Sequence, residues 1–459
     1  MTSNEYKKHI AKNLRTIRDI FNDQNHMQEA RTRFLQAVPF LSAALLTAGA
    51  ATIYAKAFQL VEIQSVRLIQ FIGYWSLVST PLLFILSWAI VQYFEPYSNG
   101  SGIPQLMAAA EISSHNSQNP FLSKLLGLRV IFVKIVSSLL GVLGGGAIGR
   151  EGPTLQISGS IFQLTGKFIN KGKHSQNHHV LILAGGAAGL AAAFNTPLGG
   201  IAYAMEELSK SHLSLFRTGV LQAVLVAGFF AQLILGPYLY LGLPKVDSLQ
   251  LHDAGYLILT ALVAGLVVSI FSQTLKVIVI YRSQVESKKI KLLIAGFCGF
   301  AVAALALFIN LSVLGSGKEV LSDLLFNGKV SDFTQMASRF FGSALTYAAG
   351  GAGGIFAPTL SLGAATASFI QSLFENQLGT IGVLAGMTAG LSALTQSPLT
   401  SFVLILEMTD RHSAIFPLMI AALIGQGVSK FVSNVSFYEF VCLRILETQD
   451  FPKKVKIEI

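Results

Sequence analysis

The chain has 459 residues, of which 52% are hydrophobic and only 12% charged, with a formal net charge of +10. Soluble proteins of ordinary composition carry about 25% charge, so a water-soluble globular enzyme is excluded at the outset. Runs without a single charged residue cover 34–55, 68–94, 180–205, 218–244, 292–317, 340–374 and 376–406. Several exceed the roughly 20 residues with which a helix crosses a bilayer, and the chain reads as an all-α, polytopic integral membrane protein. The excess of Lys and Arg does not form a nucleic-acid-binding stripe. It falls at the ends of hydrophobic segments and in the tail at Lys453, Lys454 and Lys456, which is the positive-inside pattern.

In chain order, residues 1–32 form a polar, amphipathic lead-in. With Lys7, Lys8, Lys12, Arg15, Arg18, Arg31 and Arg33 before the first span, they place the N-terminus in the cytoplasm. The start is polar rather than apolar, so no cleavable signal peptide is read there. Hydrophobic segments then run to about 445, in two membrane repeats assigned to 33–248 and 249–445. A short cytoplasmic tail, 446–459, leaves no room for a large cytosolic domain. Cys298 and Cys442 lie in apolar surroundings without metal-ligand spacing and read as buried thiols.

Glycine and proline interrupt the apolar runs at high density, with 42 glycines in the whole chain, which predicts half-helices that start or stop at membrane depth, where they must be buried in protein or line a cavity. The repeat assignment comes from AGGAAGLAAAFNTPLGGIAYAMEE, beginning at Ala184, which aligns without gaps with AGMTAGLSALTQSPLTSFVLILEM, beginning at Ala385. Gly185 meets Gly386, Pro197 meets Pro398 and Glu206 meets Glu407. A second echo pairs GREGPTL at 149–155 with GIFAPTL at 354–360.

Three glycine-rich breaks carry chemistry: GSGIPQ at 100–105, GREGP at 149–153 and GGIFAP at 353–358. A dehydrated anion needs donors in place of its water, yet a full positive charge would hold it too tightly for release. Helix N-termini, with roughly half a charge each, and hydroxyls are the suitable donors. Ser101 offers a hydroxyl, Ile355 and Phe356 offer backbone N–H groups, and Tyr438 in SFYEF offers a second hydroxyl. Glu151 is a carboxylate inside a membrane segment, a placement that costs about 2.5–3.5 kcal/mol and marks function. It can occupy the anion's place, then swing aside once protonated. Glu206 and Glu207, by spacing alone, are acids at a membrane exit beside Lys210.

These motifs, in this order and over almost the whole chain, resemble the CLC family of chloride channels and proton-coupled chloride transporters. The resemblance implies inverted-topology repeats with a site near the bilayer midplane, and a homodimer with one pore per subunit. It implies that Ser101, Ile355, Phe356 and Tyr438 line a chloride site and that Glu151 is the gate shared by both ions. It also makes Glu207 the inner glutamate that receives cytoplasmic protons, which favours an antiporter over the alternative, a passive channel of the same fold. Chloride and protons are then substrates, no cofactor or metal is expected, and the setting is a bacterial inner membrane with both termini cytoplasmic. Lys134, 17 residues before Glu151, matches a buried lysine of relatives; it either raises the potential for anions or snorkels. Arg150 is expected to organise the outer vestibule.

Gln105 replaces a Glu common in this motif, and Met107 stands where some relatives carry another acid. Ser101, where nitrate-selective relatives carry Pro, favours chloride; the intact GREGP and Tyr438 argue against the fluoride-exporting branch. Gly144, Gly146 and Gly149 satisfy GxGxxG, but lack the preceding strand and the acid about 20 positions on that a dinucleotide fold needs. His174, His178 and His179 read as a solvated polar loop rather than a metal site. No enzyme motif is present.

Overall fold

The computed structural model describes residues 24–169, 178–208, 218–236, 239–246, 250–374 and 378–449. The start of the basic lead-in, the tail lysines and His174 lie outside them. Among the described residues the structure is helical, interrupted only by loops and two isolated bridges.

In the first half the helices are α1 (Gln24–Ile72), α2 (Ser76–Phe94), α3 (Ile103–His115), α4 (Leu122–Leu125), α5 (Leu128–Leu143), α6 (Glu151–Ile169), α7 (His178–Phe194), α8 (Pro197–Tyr203) and α9 (Thr218–Leu235). In the second half they are α10 (Ala254–Gln284), α11 (Lys288–Phe308), α12 (Lys318–Phe326), α13 (Phe333–Ala349), α14 (Phe356–Ser372), α15 (Gly379–Thr395), α16 (Pro398–Thr409), α17 (Ile415–Val432) and α18 (Phe437–Glu447). The first helix starts at Gln24, inside the stretch read as a lead-in. Five stretches among the described residues are long and apolar enough to cross a membrane. The rest are shorter, and α8 and α12, with 7 and 9 residues, are the half-helices expected from the glycine and proline breaks.

The halves are built alike. Helix α6 packs along α7 as α14 packs along α15. Small residues allow it: a Cβ on Gly185 would lie 2.9 Å from the Gly159 Cα, and one on Gly390 would lie 3.3 Å from the Gly363 Cα. Such close backbone approach replaces the hydrophobic drive that lipid cannot supply. Helices α5 and α13 both end at a left-handed glycine, Gly145 and Gly350, each with φ of 80°, which turns the chain sharply toward the next motif.

An internal two-fold axis relates the halves. Gly149 and Gly354, equivalent by sequence, bond to each other: Gly149 N–H donates to the Gly354 carbonyl at 2.7 Å and Gly354 N–H to the Gly149 carbonyl at 2.8 Å. Glu206 accepts from the Leu399 and Thr400 N–H groups at 3.1 and 2.7 Å, while its counterpart Glu407 accepts from the Leu198 and Gly199 N–H groups at 3.1 and 2.8 Å. Each half thus caps the proline-started helix of the other, α16 and α8. Mutual contact of equivalent residues is the signature of a two-fold axis.

Candidate functional site

Three backbone loops meet at the centre, stitched by short-range bonds. Gly100 N–H donates to the Gly351 carbonyl and Gly353 N–H to the Gly100 carbonyl, both at 2.9 Å. The first motif is thereby tied to the third, and the Gly149–Gly354 pair ties the second to the third. A Cβ on Gly152 would collide with the Ser101 hydroxyl, and one on Gly149 would collide with the Glu151 carboxylate. Ser101, Glu151, Ile355 and Phe356 are therefore brought to one point, each 2% exposed or less. Helices α6 and α14 begin there, at Glu151 and Phe356. The first N–H groups of both have no intrahelical acceptor and carry the positive ends of two helix dipoles.

Tyr438 arrives from the other end of the chain. Buried Lys276 of α10 donates to the Ser433 hydroxyl at 2.8 Å and holds the turn before α18. The Ser436 hydroxyl then accepts from the Glu439 N–H at 3.2 Å and caps that helix. The Tyr438 hydroxyl approaches that of Ser101 without meeting hydrogen-bond geometry, and neither finds another protein partner. Two buried hydroxyls facing each other in this way are donors in need of an acceptor.

Glu151 is fully buried. Its Oε1 accepts from the Tyr240 hydroxyl at 3.1 Å, and its Oε2 has no protein partner. Tyr240 carries no motif, and sequence reasoning missed it. Its ring lies 4.9 Å from that of Phe194, which lies 5.3 Å from that of Phe356. Arg150 sits over the same Tyr240 ring at 5.9 Å and Lys318 at 5.1 Å. Arg150 also donates to the Ala55 carbonyl at 2.9 Å and lines a small recess with Glu151, Tyr240, Glu62 and Lys318.

Glu207 is also buried, but at a separate position. It lies on a π-helical turn, Ala204–Leu208, and accepts a bond from the Ser397 hydroxyl. Tyr203, four residues earlier, is fully buried with a hydroxyl lacking a hydrogen-bond partner, and was also missed. Tyr203 and Leu208 share one continuous apolar core with Ile103, Phe356 and Tyr438, so Glu207 and the central point belong to the same packed body. Glu206, its neighbour in sequence, faces elsewhere and caps α16.

Lys134 does not snorkel. It is fully buried and donates to the carbonyls of Ser98, Asn99 and Gly100 at 2.9, 3.4 and 2.9 Å. The charge clamps the carbonyl side of the Ser101 loop. Gln105 adds to the clamp, donating to the Asn99 carbonyl at 3.0 Å, whereas Met107 packs against the core. The solvated-loop reading fails for His178 and His179, which open α7. His179 is buried and its Nδ1 lies 2.7 Å from the Ala110 carbonyl. Its apolar neighbours Val180–Leu183 carry it into the helix core. Among the described residues no cluster of His, Cys, Asp or Glu is arranged to hold a metal ion.

A cavity of about 610 Å³ leads from the surface to Ser101, with Arg282, Lys291 and Arg444 among its walls. Opposite, the recess at Glu151 holds only about 20 Å³, room for about one water. A wide funnel with a basic excess thus reaches Ser101, and a narrow recess with two acids and two bases, Glu62, Glu151, Arg150 and Lys318, reaches Glu151.

The sequence matches the family described as voltage gated chloride channel over residues 83–430. It is 30% identical over 415 residues to the H(+)/Cl(-) exchange transporter ClcA of Citrobacter koseri, covering 82% of this chain and 81% of that protein. The ClcA of Salmonella typhi is 29% identical over the same length and shares. The fold is similar to that of a slow cyanobacterial Cl-/H+ antiporter, with a TM-score of 0.78 and 26% identity over 91% of this chain and 99% of the other. It is also similar to that of a CLC-type fluoride/proton antiporter, with a TM-score of 0.73 and 20% identity over 91% and 99%, a likeness of fold alone. These relatives are transporters, not enzymes. From its matched length, its all-helical membrane fold and its three converging motifs, the chain belongs to the voltage-gated chloride channel (CLC) family.

Proposed function

We propose that the chain is a secondary transporter that exchanges chloride for protons, with Glu151 as the gate shared by both ions. The observation that carries this reading is the convergence of Glu151 with the Ser101 loop and the start of α14. A carboxylate seated among helix N-termini occupies the ground that a halide would take, and the two compete for the same partial charges. Protonation removes the carboxylate's attraction to those dipoles and frees the seat, so a proton arriving at Glu151 and a chloride leaving it are coupled by exclusion.

In this reading chloride is held by the hydroxyls of Ser101 and Tyr438 and the N–H groups of Ile355 and Phe356. Protons reach Glu151 from Glu207, whose orientation Ser397 holds. Lys134 and Arg150 act by positioning and by local potential. The names of the curated relatives support chloride and protons as the pair. The setting is a bacterial inner membrane with cytoplasmic N- and C-termini, the Ser101 funnel facing the cytoplasm; Arg282 in the last turn of α10 and Lys288, Lys289 and Lys291 at the start of α11 agree with that polarity. The family resemblance extends the proposal to a homodimer with one pore per subunit, whose exposed apolar side chains on α9 and α17, such as Phe229 and Phe416, face lipid or the second copy.

The test is reconstitution in liposomes with a chloride gradient and no proton gradient. Protons are expected to move uphill as chloride runs down. Chloride flux without proton movement would retire exchange and leave the passive channel.

A further inference from the structure

The Ser101 loop has a twin. GSG recurs at 315–317, directly before α12, as it occurs at 100–102 before α3. Gly102 and Gly317 both sit at the helix start in the left-handed region, with φ of 99° and 89°. Each loop is backed by a buried cation at the seventh position of the following long helix. Lys134 of α5 binds the carbonyls behind the first. Arg339 of α13, fully buried, binds the Ser312 and Gly315 carbonyls at 3.1 Å behind the second. A cation that draws the carbonyls to one side leaves the N–H groups facing the other.

At the second loop that other side carries a negative group. The Ser316 N–H donates to Glu62 Oε1 at 2.6 Å, a charge-assisted distance. Glycine at 315 is what lets the carboxylate come so near, since a Cβ there would lie 2.6 Å from the same oxygen. Lys318 and Arg150 line the same recess, as does Glu151, whose buried Oε2 has no protein partner. On the interior side, Arg339 Nη2 is also buried without a partner, against Gly317.

We infer that the Gly315–Gly317 loop is a second anion seat, for a halide or similar monovalent anion, and that the Glu62 carboxylate is its resident competitor. With about 20 Å³ in the recess, an anion enters only when Glu62 leaves. The seat lies between solvent and Glu151, and it makes Glu62 a gate ahead of the Glu151 gate. The inference rests on reading the chain as an anion transporter.

Bromide, located by anomalous diffraction from crystals of the full chain, tests both. In Glu62→Ala, bromide is expected at the Ser316 amide, with lower occupancy there in the unaltered protein, and bromide at the Ser101 loop in both. Bromide at Ser101 but not at Ser316 in Glu62→Ala overturns the second seat and leaves the transport reading intact; bromide at neither overturns the transport reading. Should Glu62→Ala fail to fold, Lys318→Gln in liposomes gives the answer. It should raise the half-saturating chloride concentration from the Glu151 side roughly threefold or more, with no change from the Ser101 side. An unchanged value, or an equal rise from both sides, overturns the seat.

Discussion

The two halves of this molecule share their supports and differ in their chemistry. Lys134 and Arg339 clamp equivalent loops, and Glu206 and Glu407 cap each other's helices. At the positions where a mobile proton is proposed the equivalence breaks: Glu151 corresponds to Phe356, and Glu207 to Met408. One half carries both proposed proton carboxylates; the other presents apolar side chains and bare backbone. Duplication gives two helix N-termini aimed at one point, and divergence leaves a single carboxylate competing for it. Two carboxylates at the centre would repel each other and any anion.

That comparison can be broken first at Glu151. Glu151→Gln should remove proton flux, by about 100-fold or more, while chloride flux persists in liposomes; tight exchange in that variant would show that the asymmetry at 151 and 356 is not functional. Glu207→Gln comes next, with proton flux reduced about tenfold or more and chloride flux kept. Unchanged proton pumping there would remove Glu207 from the path. The shared supports are tested by thermal unfolding in detergent. Lys134→Met and Arg339→Met each leave a row of buried carbonyls without a donor and should cost about 3–5 kcal/mol, by similar amounts if the clamps are equivalent. A small loss in one and a large loss in the other would deny the equivalence. The smallest effect belongs to Glu206→Ala and Glu407→Ala. Each removes a helix cap worth about 1–2 kcal/mol; a loss of proton coupling in Glu206→Ala without loss of stability would place Glu206 in transport rather than support.

The wide and narrow approaches to the centre differ in the same spirit. The Ser101 loop opens into a large basic cavity, whereas its twin at Ser316 is filled by a carboxylate. The difference arises from Glu62 on α1, a residue with no motif around it.

Much of this was legible from residues in order. Hydropathy and charge gave the all-α membrane fold, because a bilayer forces backbone groups to bond within the segment. The gapless match of 184–207 with 385–408 pointed to the repeats, and the three glycine breaks singled out Ser101, Glu151, Ile355 and Phe356, whose loops the structure ties together. Contacts between residues far apart in the chain were not legible. Tyr240 reaches Glu151 across 89 positions, Ser397 reaches Glu207 across 190, and Glu62 reaches Ser316 across 254. A lone Tyr, Ser or Glu carries no periodicity, so nothing local marks its partner. The direction of Lys134, inward onto three carbonyls rather than outward to headgroups, was likewise decided by packing, since a loop with exposed carbonyls in a dry interior demands a donor whichever helix supplies it. Local sequence determined where helices begin, end and bear charge, because those depend on neighbours within a turn. Only the folded body decided which of those charges meet, because that depends on an axis of symmetry no single segment contains.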